Sequence, residues 1–201
     1  MKTIENDVYV AYHDNGVCIA MDEYSISQVS SGFHIDSNNT VFGVNGFQQK
    51  AILRTDDCWQ MQELKVAIES MNIEMCANVK DRKVYVQQKQ QNAVGFEKIF
   101  ELQNDKFFYI YSGALVIPMI WLRGFSFDNY EKVAYQMLPA GFVEIKQLTD
   151  TVSENNLRTF SLLMYLQNFT DIVKIRTDIS GKILSLYSET CQLTIIKQNK
   201  L

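Results

Sequence analysis

Catalysis needs side chains that exchange protons, attack or ligate, and this sequence supplies few of them at useful spacing. Its two histidines, His13 and His34, stand near expected turns or strand ends. Neither belongs to a His-x-x-x-His or Cys/His pattern, so no tetrahedral metal site is predicted. Either could serve as a general base only with a distant Asp. The adjacent acids Asp22-Glu23 and Asp56-Asp57 would face opposite ways in a strand, a poor geometry for an acid/base pair, and read as turn residues. Cys18, Cys58, Cys76 and Cys191 are far apart with no Cys-x-x-Cys, and read as reduced, buried thiols. Cys58 would be a nucleophile only beside a base. No Gly-x-Ser-x-Gly elbow, Walker loop or dinucleotide fingerprint occurs. No catalytic residue, metal or cofactor is assigned.

Binding chemistry is better represented. Ala114 to Leu122 contains no charge, its one hydrogen-bonding side chain is the Trp121 indole, and Arg123 closes the run. An Arg in that position must keep its guanidinium in water, pair it, or offer it to an anion. In the functional reading Arg123 is a polar clamp at the mouth of an apolar cavity, holding a carboxylate or phosphate; the alternative is snorkelling from ordinary core. Arg158 and Arg176, each between apolar residues of an expected strand, are secondary candidates. Tyr109, Tyr111, Trp121, Tyr135, Tyr165 and Trp59 combine an apolar body with a polar tip, as ligand-lining residues do. Pro118 excludes a central strand and suits the first position of a short helix, Pro118 to Arg123. That helix is expected to lie across the concave side of a sheet, as cavity wall or plug.

The elements that must position these groups are mostly strands. Short alternating or continuous apolar segments recur about every 8–12 residues between turn residues, the pattern of an antiparallel all-β fold. About a dozen strand candidates can be counted. The turns at Asp81-Arg82 and Asp178-Ile179-Ser180-Gly181 read as hairpins, as does Asn104-Asp105 between "FEKIFELQ" and "KFFYIYSG". Gly43 and Gly46 mark a bulge or tight turn. Two segments are ambiguous. "DNYEKVAYQMLP" has the capping box of a helix, Asp128 three residues before Glu131, and "WQMQELKVAIESM" fits helix and strand periods equally.

Composition bounds the rest. With 201 residues, 47% apolar and 21% charged, the chain can bury a core, and a single domain over 1–201 is expected. A net charge of −4 without a Lys/Arg cluster argues against nucleic acid. No stretch approaches a membrane span, and the N-terminus lacks a secretory pattern, so a cytoplasmic location is the expectation.

From Trp59 onward the order of features resembles the glycolipid-binding family of bacterial cytoplasmic proteins, whose fold is similar to the periplasmic lipoprotein carriers. "CWQMQELKVAI" is similar to the family's early Trp with an amphipathic strand. "FFYIYSGALVIPMIWLRGF" is similar to its aromatic strand leading to a central Pro and a following Arg, which places Pro118 and Arg123 on the matching positions. "KVAYQMLPAGFVEIKQL" and "FTDIVKIRTDISGKILSLYSE" resemble its strand-Pro-strand and closing hairpin. The family has a second Arg beside the first, whereas Trp121-Leu122-Arg123 in this chain leaves one Arg only. The resemblance implies a mainly β fold: one large curved antiparallel sheet, a β-roll or half-barrel with one or two short helices, and strands at both ambiguous segments. It also implies an apolar concave face able to hold a lipid-like molecule. The expected function is therefore binding of an apolar or amphiphilic small molecule. The alternatives are a cofactor-free enzyme on a hydrophobic metabolite, or a protein-interaction module pairing through an open sheet edge.

Overall fold

The computed structural model describes residues 1–91, 93–101, 108–111, 114–123, 131–137, 140–147, 152–166 and 169–199, with the backbone alone at 94, 108–111, 131–137, 140–145, 147, 166 and 169. The first eight strands are β1 (Lys2–His13), β2 (Cys18–Val29), β3 (Gly32–Val41), β4 (Phe47–Thr55), β5 (Met61–Ile68), β6 (Ile73–Lys80), β7 (Lys83–Gln90) and β8 (Ala93–Glu101). After β9 (Phe108–Tyr111) comes one helix, α1 (Val116–Arg123). Next are β10 (Glu131–Met137), β11 (Ala140–Gln147), β12 (Val152–Glu154) and β13 (Leu157–Leu166). The last three are β14 (Phe169–Asp178), β15 (Ile183–Ser188) and β16 (Leu193–Asn199).

These sixteen strands form one curved sheet, ordered β8-β7-β6-β5-β4-β3-β2-β1-β16-β15-β14-β13-β11-β10-β9, with β12 on β13 alone. Every pairing is antiparallel except β9 with β10. The sheet is not closed into a barrel, since β8 and β9 end its order without pairing to each other. Among the described residues, no helix is long and apolar enough to cross a membrane.

Local chemistry explains the hairpins. Asp81 and Arg82 both have positive φ, 51° and 59°, the conformation of a two-residue turn whose twist matches its strands. Between β14 and β15, Asp178 Oδ1 accepts from Ser180 N, Ser180 Oγ and Lys182 N at 2.8, 2.6 and 3.0 Å, while Gly181 takes φ 82°. Between β4 and β5, Asp56 Oδ1 accepts from Cys58 N and Gln60 N, both at 2.9 Å, and Trp59 adopts φ 63°. Gly43 and Gly46 belong to the turn joining β3 and β4.

Both ambiguous segments contain strands. Residues 61–68 are β5, followed by a 3-10 turn at Glu69–Met71, and 131–137 are β10; the Asp128 end of the capping box lies outside the described residues. Pairing in a sheet outweighs a local helix signal here. The hairpin expected at Asn104-Asp105 is corrected. That turn lies outside the described residues, but β8 and β9, its two arms, stand at opposite ends of the sheet, and β9 pairs in parallel with β10. The helix starts at Val116, with Pro118 inside its first turn, where a missing N–H costs nothing.

Gly32 has φ 127°, and a Cβ there would lie 2.0 Å from Thr55 O. A Cβ at Gly95, in β8, would meet Gln88 O at 3.9 Å, an ordinary contact. Gly32→Ala is expected to destabilise by about 3 kcal/mol and Gly95→Ala by less than about 1 kcal/mol, measured by urea denaturation.

Candidate functional site

Alternation along the strands sends Leu53, Leu64, Val66, Met75, Ala77, Val84 and Val86 to one face of β4–β7, and they share a core with α1. Ala114, Leu115 and, within α1, Val116, Ile117, Met119, Ile120, Trp121 and Leu122 are all buried. The short helix thus fills the hollow of the sheet. Burying each large side chain contributes roughly 1.5–3 kcal/mol.

Polar groups hold the two ends of α1. At its N-terminus the fully buried Asp22 of β2 receives Val116 N on Oδ2 at 2.8 Å and Ser37 Oγ on Oδ1 at 2.6 Å. A carboxylate supplied from another element thereby satisfies a helix N–H and complements the helix dipole. Burial pushes the Asp22 pKa up to about 6, against the opposing effect of these hydrogen bonds. At the C-terminus Arg123 donates from Nη2 to Glu5 Oε2 at 2.9 Å, and both side chains are 7% exposed. Its guanidinium also stands 4.8 Å from the Trp59 ring, which stacks on Phe33 at 3.9 Å.

Glu5 is the centre of a larger network. Tyr24 Oη donates to its Oε1, which also lies 3.1 Å from Lys182 Nζ. Asp7 Oδ2 bridges Lys182 and Lys197 at 3.2 and 2.8 Å. Burial alone would raise the Asp7 pKa, but the two lysines hold it below the usual carboxylate value. Burial alone would lower that of Lys182, and Glu5 more than offsets it. Tyr9 stacks on Tyr24 at 5.0 Å and donates to Ile183 O at 2.9 Å.

The concave face, expected to be apolar, also carries buried polar side chains. Strand register places Asp22 opposite both Tyr9 and Asn39, and Asn39 opposite Gln49, giving a buried polar row across β1–β4. Asn39 is 2% exposed, and neither atom of its amide meets a partner at hydrogen-bond geometry among the described residues. Toward β16–β3 the hollow mixes this polar row with Ala11, Ala20, Ile26, Ile35 and Ile195, and toward β5–β7 it is apolar.

The structure brings together Arg123 and Trp59 at one end of the helix that carries Pro118 and Trp121. It turns Arg123 inward to Glu5 instead of to solvent. Arg158 is half-buried on the β13 face that carries Phe160 and Leu162, whereas Arg176 is exposed on the opposite face of β14 from Val173 and Ile175. Tyr165 is exposed. Tyr109, Tyr111 and Tyr135 lie in β9 and β10, but their side chains are outside the described set.

Sequence reasoning missed Glu5, Asp7, Tyr9, Tyr24, Lys182 and Lys197. The one available signal was alternation, which puts Glu5, Asp7 and Tyr9 on one strand face and Asp22 with Tyr24 on another. Asp22 is a mid-strand core residue, so its reading as a turn residue is corrected; Asp56-Asp57 do lie in a turn. The cysteines are also corrected: all are free, but Cys58 and Cys191 are exposed and Cys18 and Cys76 half-buried. His34 Nε2 lies 3.1 Å from Asp36 Oδ2 on the face of β3 opposite Ile35 and Ser37, and His13 is exposed. No group of three metal-ligating side chains occurs among the described residues. Open grooves of about 400 and 470 Å³ run over the outer face of β4–β8, past Cys76 and Gln87, and no residue of α1 lines them.

No family model matches the sequence, and no curated protein matches it either. Among solved structures, a β-barrel-like protein of domain of unknown function DUF1849 from Brucella abortus is similar at TM-score 0.53, over 96% of this chain and 94% of that one, with 8% identity. A DUF1089 family protein from Pseudomonas aeruginosa gives 0.45 over 81% and 87%, with 12% identity. A protein with a YmcC-like fold from Bacteroides fragilis gives 0.33 over 96% and 93%, with 8% identity. The first pairing carries the conclusion, which concerns fold alone. This chain has a β-barrel-like fold.

Two predictions test the latches. The folded-state pKa of Asp22, about 6, exceeds the unfolded value near 3.9, so the fold holds this proton more firmly than the unfolded chain does. Its contribution favours the fold below about pH 4 and is lost as pH rises to 6, by about 2 kcal/mol. Asp22→Asn should remove that slope, read as the difference between the two denaturation series over this window. Arg123→Met should cost about 3–5 kcal/mol by leaving Glu5 with one cation fewer, and adding Glu5→Gln should recover part of the loss in a double-mutant cycle.

Proposed function

We propose that the protein binds an apolar or amphiphilic small molecule in the concave face of its sheet, with α1 occupying that space while the protein is empty. The observation that carries this reading is the build of α1: an apolar body with polar latches at its two ends, Asp22 and Glu5–Arg123. Eight residues make a helix too short to persist by itself. Once its latches open, little intrinsic stability keeps it helical. An eight-residue helix is a cylinder about 12 Å long and 10 Å wide, on the order of 900 Å³, within the range of small-molecule sites. Among the described residues, β8 and β9 end the strand order without pairing to each other. A ligand must replace the apolar surface that α1 buries, so its apolar part must be of comparable size.

A second reading has one feature behind it. Among the described residues β8 ends the strand order, and it carries Ile99 at 58% exposure, opposite Tyr85 on β7, which suits strand addition by another polypeptide.

Native mass spectrometry on protein purified gently from its own host, combined with hydrogen exchange, tests the proposal. A co-purified apolar molecule of several hundred daltons, with faster amide exchange in 114–123 in the loaded form, is expected. A clean mass, and unchanged exchange after incubation with twelve-carbon amphiphiles, would remove the reading.

A further inference from the structure

The latch at Glu5 narrows the chemistry of the ligand, given the binding reading above. Arg123 occupies a seat with the parts of a cation site. Glu5 Oε2 lies 2.9 Å from its Nη2, the Trp59 ring lies 4.8 Å from its guanidinium carbon, and Phe33 stacks behind that ring to hold it in place. Carboxylate and aromatic face together are how proteins hold guanidinium and substituted ammonium groups.

This seat lies at the end of an apolar track. Reading back along α1 from Arg123, the neighbours are Leu122, Trp121, Ile120 and Met119, all buried, over roughly 12 Å to the N-terminal latch. The chain therefore fills its own hollow with an apolar rod that ends in a cation.

Charge accounting says what can take the rod's place. With α1 seated, Arg123 holds Glu5 Oε2, Lys182 holds Glu5 Oε1 and Asp7, Lys197 holds Asp7, and Asp22 at the other end of the helix accepts from Val116 N. Moving α1 away removes Arg123 from this set and takes the helix N–H from Asp22. Glu5 Oε2 then loses its closest cation, while Oε1 keeps Lys182. Leaving a buried charge without its partner is strongly unfavourable. An anionic head group would set like charge against Glu5 Oε2, and a neutral one would leave that oxygen without a cation. A cationic head takes over the place of Arg123 on both the Glu5 carboxylate and the Trp59 face.

We infer that the ligand is a cationic amphiphile, an apolar chain ending in an ammonium or guanidinium group, that replaces α1 with its head on Glu5 and Trp59. Arg123 is the internal mimic of that head, and α1 is a built-in competitor for the site.

Three twelve-carbon probes that differ only in the head test this: dodecylammonium, dodecanol and dodecanoate, below their aggregation limits at pH 7.5. Binding is read by calorimetry and by exchange of 114–123. Dodecylammonium should bind about tenfold or more tighter than dodecanol, and dodecanoate weakest. Glu5→Gln should collapse the ratio of amine to alcohol affinity. Equal affinities, or dodecanoate binding tightest, would overturn the cationic assignment while leaving the binding reading intact. Failure of all three probes to bind would overturn both. The wild-type comparison decides the matter even if Glu5→Gln does not fold.

Discussion

An open curved sheet has an inner face that water must not reach, and in this protein one eight-residue helix packs into it. The difficulty is that such a helix has no stability of its own. The sheet supplies it, through apolar packing along the body of α1 and a charged group at each end. Asp22 and Glu5 sit on neighbouring strands near the middle of the sheet, so the helix is referenced to its central strands. The placement of Trp59, the burial of Arg123 and the polarity of the β16–β3 wall all follow from that arrangement.

Buried ion pairs of this kind are poor sources of net stability, because desolvation offsets most of their attraction. Their value here lies in position. Apolar contacts alone would let a short greasy rod slide or turn over within the hollow, whereas two latches some 12 Å apart fix its direction and depth. The polar wall is then a condition of the plug's registry, and the apolar wall of β5–β7 supplies the binding energy.

Much of the architecture was legible in the sequence. Positive-φ and Asx chemistry at Asp81-Arg82 and at Asp178 to Gly181 is local, so the hairpins could be read from a few residues. The apolar run ending in Arg123 gave the helix, with its start two residues late, because Pro118 is tolerated anywhere in the first turn and does not mark the first position uniquely. The pairing of β9 with β10 was illegible, since a turn signal reports nearby geometry and says nothing of a partner beyond an intervening helix. Glu5 and Asp22 were illegible as latches for a related reason. Alternation groups residues by face, yet their meaning depends on Arg123 and Val116, 118 and 94 residues away. Burial of the cysteines failed as an expectation because a small side chain is not driven inward strongly enough to override strand phase.

The ladder between β1 and β16 has a consequence for how the chain reaches this fold. β1 lies in the middle of the sheet, flanked by β2, which follows it closely, and by β16, whose Lys197 stands opposite Tyr9. Strands β1 to β8 form an uninterrupted meander of neighbours, and β13 to β16 form another. Each can assemble through short loop closures, while joining them demands closure of almost the whole chain, the slowest kind of contact to make. The seam between the two meanders is also where Lys182 and Lys197 meet Asp7, and Lys182 meets Glu5. Charge complementarity across that seam therefore favours the register in which the two halves join.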